Sequence, residues 1–98
     1  MDNNCCHKKT KRTAEAKKHI INRLNRISGQ INGISKMVEN DAYCNDILVQ
    51  LSAVKNSIKS LSTLILESHL YTCVPKELEN GEFDSLDELI SLFKRFNQ

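Results

Sequence analysis

Residues 44–73 read CNDILVQLSAVKNSIKSLSTLILESHLYTC, and this stretch decides the fold. Cys44, Ile47, Leu51, Val54, Ile58, Leu61 and Ile65 recur at intervals of three and four, and Leu66, Leu70 and Cys73 extend the rhythm along an adjacent stripe. A period near 3.6 puts such residues on one side of a helix. Pro75 sets the limit, because the residue before a proline is pushed out of the helical region. The segment predicts a helix of roughly thirty residues, about 45 Å long at 1.5 Å per residue. In so short a chain, a helix of that length calls for others packed beside it.

Upstream, Ile20, Leu24, Ile27, Ile31, Ile34 and Val38 follow the same alternation of four and three, the seam of a first long helix that should begin near Thr13. Gly29 and Gly33 sit inside it, each costing up to about 1 kcal/mol of helix propensity. They either admit a neighbouring helix or a phosphate backbone, or are simply tolerated. Asn40 and Asp41 interrupt the pattern and offer side-chain acceptors to start the next helix at once. Downstream, Asn80-Gly81 reads as a turn, and Ser85-Leu86-Asp87-Glu88 has the spacing of a capping box. Leu86, Leu89, Ile90, Leu92 and Phe93 then supply the apolar face of a short third helix, closed by Lys94 and Arg95, whose charges suit its C-terminal dipole. Residues 1–12 lack apolar periodicity and are expected to be a flexible basic tail, leaving 13–98 as a single helical domain.

The composition agrees with an all-α chain: 98 residues, 40% hydrophobic, 27% charged, 5% aromatic and one proline. A lone chain of this size buries a modest core, so association is expected. No apolar run is long enough to span a bilayer, and the N-terminus lacks the apolar stretch of a secretion signal. The sequence reading therefore places the protein in the cytoplasm with no membrane partner. In that reducing compartment four cysteines are thiols or metal ligands rather than a disulfide framework.

The formal net charge of +2 is unevenly spread. Residues 1–26 carry +6, residues 27–66 are neutral, and residues 67–98 carry −4. A basic N-terminal end points to a polyanionic partner, with Lys17, Lys18, Arg23 and Arg26 on helix 1, and Lys55 and Lys59 on helix 2, as candidate phosphate contacts. No carrier of base readout is visible.

His69 and Cys73 stand four apart, on one face of the second helix, where both can reach one ion. Cys44 is the natural third ligand, but it precedes His69 by 25 residues of the same helix. That is roughly 37 Å, too far for one chain to close the site. If two such helices pack antiparallel, Cys44 of one meets His69 and Cys73 of the other, and twofold symmetry makes two sites. Two thiolates and an imidazole are a soft set suited to copper(I) at low coordination number, whereas zinc would usually take a fourth ligand. Spacing alone leaves three readings open: a metal site, two cysteines filling a core, or a thiol pair that responds to oxidation or persulfide. Cys5, Cys6 and His7 form another soft cluster, in a tail with no fixed geometry, and His19 reads as a solvated surface residue. An enzyme with a Cys-His nucleophile is poorly supported, since no orienting group or oxyanion donor can be read.

Four segments together resemble the copper-sensitive operon repressor (CsoR) family of bacterial metal-responsive regulators: Arg23-Leu24-Asn25-Arg26-Ile27-Ser28-Gly29-Gln30, Asp41-Ala42-Tyr43-Cys44-Asn45-Asp46-Ile47-Leu48, Gln50-Leu51-Ser52-Ala53-Val54 and His69-Leu70-Tyr71-Thr72-Cys73-Val74. The resemblance covers about residues 20–74, with a weaker echo in the third helix. It implies three-helix protomers in an antiparallel dimer, usually paired again into a tetramer, and a repressor whose apo form binds operator DNA. It also implies copper(I) ligands at Cys44, His69 and Cys73. Tyr43 and Glu88 match residues that in the family link the bound metal to the DNA-bound state, Glu88 only across a gap after Cys73.

The family also holds sensors of nickel or cobalt, formaldehyde and persulfide, so the resemblance does not by itself name the inducer. Persulfide sensors lack the histidine, and formaldehyde sensors generally lack the second cysteine. Nickel or cobalt sensors use an N-terminal histidine in a region where this chain has Arg12, with His7 offset from it. The match of all three ligand positions points to copper-resistance genes released by copper(I).

Overall fold

A computed structural model describes residues 11–72 and 74–96, Ser85 through its backbone alone. Among these residues the chain is helical throughout, without strands: α1 (Ala14–Glu39), α2 (Cys44–Thr72), a six-residue α3 (Val74–Glu79) and α4 (Asp84–Phe96). The two long helices and the C-terminal helix are those the periodicity predicts, whereas α3 is not foreseen. The residues divide into two compact units, one of residues 13–62 and one from Thr63 onward joined by Lys11 and Arg12, with the boundary inside α2.

Thr13 caps α1 from an extended conformation, its Oγ1 accepting the Ala16 N–H at 3.1 Å. Such a cap is worth about 1 kcal/mol. The other end corrects the sequence reading. Asp41 does not begin the second helix; it closes the first, in the left-handed region at φ 57°. Its N–H donates to the Val38 carbonyl at 3.1 Å and the next N–H, of Ala42, to Met37 at 2.9 Å. This paired arrangement is the Schellman motif, which satisfies the last carbonyls of a helix. The Ile47 N–H donates to the Tyr43 carbonyl at 3.2 Å, so Tyr43 holds the N-cap position of α2.

α2 ends at Thr72, whose hydroxyl donates back to the Ser68 carbonyl at 2.7 Å. Pro75 then sits second in α3, within the first turn, where its missing N–H costs no hydrogen bond. The motif seen at Asp41 recurs at Gly81, φ 75°: the Gly81 N–H donates to Leu78 and the Glu82 N–H to Glu77. α4 starts at Asp84, and the Asp87 N–H donates to the Phe83 carbonyl at 3.1 Å. Ser85 is therefore inside the first turn instead of ahead of it, and the expected capping box does not set this terminus.

In the unit of residues 13–62, the Arg23 guanidinium donates to Ser60 Oγ at 2.8 Å across 37 residues of chain. That bond requires α2 to fold back antiparallel on α1 over the short turn at 40–43. Burial then splits each seam in two. On α1, Ile27 is 7% exposed and Ile20 and Ile34 are half-buried, while Leu24, Ile31 and Val38 are 48, 48 and 58% exposed. On α2, Val54 and Leu61 are buried and Ile47 half-buried, while Leu51 and Ile58 are exposed. Covered and uncovered positions each recur every seven residues. One chain covers half of a coiled-coil-like seam and leaves the other half bare. In the second unit Val74 and Glu77 are buried, and α4 leaves Ile90, Leu92, Phe93 and Phe96 exposed.

Candidate metal centre and nucleic-acid interface

Cys44 is the first residue of α2 and is exposed, outside any disulfide. Its placement follows from the turn: the left-handed residue at 41 ends α1, and Tyr43 at the N-cap delivers Cys44 to the new helix. His69 lies in the last turn of the same helix, half-buried. Two donors of the predicted soft set thus stand at opposite ends of 29 residues of helix. The third, Cys73, lies outside the described residues, as do Cys5, Cys6 and His7. Among the described residues no three His, Cys, Asp or Glu side chains converge on a point that could hold a metal ion. Of the expected ligands, the described residues thus hold Cys44 in the first turn of α2 and His69 in its last.

Tyr43 precedes Cys44 and is exposed, its hydroxyl accepting from Asn45 Nδ2 at a long 3.4 Å. Glu88 is exposed on α4. The basic candidates fall into two kinds. Lys17, Lys18 and Arg26 on α1, with Lys55 and Lys59 on α2, are exposed, whereas Arg23 is half-buried with its guanidinium fixed by Ser60. Gly29 and Gly33 face open space, with nothing within 4 Å of where a Cβ would stand, so nothing in the single chain requires their lack of a side chain.

Two features escaped the sequence reading. Ser60 is an ordinary helix-surface residue until the hairpin sets Arg23 beside it. Glu77 is 2% exposed, with neither carboxylate oxygen partnered among the described residues, in a helix that the apolar pattern does not announce.

Comparison with known proteins decides the family. The family description "metal-sensitive transcriptional repressor" matches residues 16–95. The chain belongs to that family. The CsoR of Bacillus subtilis strain 168, named a copper-sensing transcriptional repressor, is 44% identical over 88 residues, covering 89% of this chain and 87% of the relative. The copper-sensing repressor RicR of Mycobacterium tuberculosis is 39% identical over 67 residues, covering 68% of this chain and 70% of the relative. Among solved structures, the copper-sensing repressor CsoR with Cu(I) from Geobacillus thermodenitrificans NG80-2 matches with a TM-score of 0.83 and 42% identity, covering 90% of this chain and 93% of that one. The all-helical architecture and the family resemblance drawn from the sequence both hold for this metal-sensitive repressor.

Proposed function

We propose that this repressor responds to copper(I): its apo oligomer holds operator DNA, and copper(I) bound by Cys44 of one protomer with His69 and Cys73 of the partner subunit releases it. The observation that carries the reading is the position of Cys44 and His69 at the two ends of α2, exposed and half-buried, on a chain similar to a copper-bound repressor across nearly its whole length. The donor set fits the ion. Soft thiolates with one imidazole satisfy copper(I) at low coordination, and the metal supplies a bond joining ends of helices from two chains.

The bare half-seams at Leu24, Ile31, Val38, Leu51 and Ile58 support an antiparallel dimer, and the exposed apolar face of α4 supports a further pairing into a tetramer. In the apo oligomer Lys17, Lys18, Arg23 and Arg26, with Lys55 and Lys59, contact phosphates, so binding falls steeply with salt. Tyr43, next to the ligand Cys44, and Glu88 on α4 relay metal binding to the DNA-bound state. By linkage, DNA weakens copper binding by the factor by which copper weakens DNA binding. Copper-resistance genes are the regulated class, the protein acts in the cytoplasm, and residues 13–98 work as one functional domain. No helix among the described residues is long and apolar enough to cross a membrane.

Complementation tests the shared site. Cys44→Ala and His69→Ala variants should each lose copper binding while keeping DNA binding. Mixed and re-equilibrated, they should regain one copper per hybrid dimer, because one of the two sites then has all its ligands. Mixtures that stay silent would overturn the shared site.

A further inference from the structure

We propose that Ser60 is a positioning residue for DNA binding, its hydroxyl holding the Arg23 guanidinium in the orientation that meets a phosphate; this rests on the reading of Arg23 as a DNA contact. Arg23 lies three residues after Ile20 and four before Ile27, on the stripe of α1 that turns toward α2. Arg23 is half-buried and its Nη2 donates to Ser60 Oγ at 2.8 Å. The bond uses one of five guanidinium donors and leaves the others for an incoming anion. The acceptor is a hydroxyl, which fixes direction without cancelling charge; a carboxylate at the same place would neutralise the group that phosphate is to meet.

An unrestrained arginine samples many rotamers and must be ordered when DNA arrives. One already held loses less freedom on binding. Ser60 therefore acts on affinity through preorganisation, while Arg23 supplies the charge.

The two roles separate in a salt series. The full-length protein binds a fluorescent duplex carrying the region upstream of its own gene, and log affinity is plotted against log salt concentration. Ser60→Val and Ser60→Thr form a matched pair, equally β-branched and differing in the hydroxyl. Ser60→Val should bind roughly two- to tenfold more weakly, with the slope unchanged because Arg23 still reaches the phosphate. Ser60→Thr should bind like the parent. Arg23→Gln should reduce the slope by about one for each contacting subunit. Far-UV circular dichroism reports helicity in each variant. If Ser60→Val and Ser60→Thr bind equally while Arg23→Gln lowers the slope, the positioning role is refuted and the Arg23 contact stands. If Arg23→Gln leaves the slope unchanged, the Arg23 contact fails and the proposal with it.

Discussion

Replacing Ile31 by alanine separates a chain whose seam is bare from one whose seam is covered by a second copy. Truncating a fully buried isoleucine to alanine costs roughly 2–5 kcal/mol. Ile31 is 48% exposed in the single chain, so about half of that burial remains for a partner to supply. The share lost from the interface is then roughly 1–2 kcal/mol per protomer, and a twofold dimer loses it twice. Association should weaken by roughly 2–4 kcal/mol per dimer, about thirty- to several-hundredfold in dissociation constant. Within the chain the loss is partly offset by alanine's higher helix propensity, so helicity should survive. Sedimentation equilibrium over a range of protomer concentrations reads the dissociation constant, with circular dichroism run alongside. A variant that keeps its helicity and associates within threefold of the parent would refute the reading of the bare half-seam as an interface.

Other consequences are equally direct. Asp41 holds the left-handed position that Gly81 holds at the end of α3, so Asp41→Gly should raise stability by about 0.5–1 kcal/mol and Gly81→Ala should lower it by about 1 kcal/mol, both seen as shifts of the thermal midpoint at fixed protomer concentration. Glu77→Met removes a buried carboxylate that has no partner among the described residues and should raise the midpoint, by about 4–8 °C for each kcal/mol gained; a fall would mean that the carboxylate finds a partner in the assembly. Arg23→Glu with Arg26→Glu should abolish DNA binding and leave copper stoichiometry intact, checked by anisotropy and by copper titration.

Much of this was legible because local chemistry and tertiary demand agree. Thr13 as the start of α1 and the 29-residue span of α2 follow from apolar rhythm, a cap and a proline. The placement of Cys44 and His69 at the two ends of α2 needs only counting along a helix. The errors fall where backbone conformation or register decides. Asp41 looked like a helix starter because aspartate caps N-termini well, but aspartate also tolerates the left-handed region, and the backbone took that use. α3 was invisible because VPKELE carries no apolar period and its proline reads as a stop. The split of each seam into covered and bare halves, and the Arg23–Ser60 bond, arise when α1 and α2 fold together, which no residue on either helix announces alone.

The most direct test is an anaerobic titration of the reduced protein with copper(I), following binding stoichiometry and release of its upstream DNA in the same samples. One tightly bound copper per chain, with DNA release complete at that point, is the predicted result. Release by persulfide, formaldehyde or nickel but not by copper, or copper bound tightly with DNA still held, would contradict it.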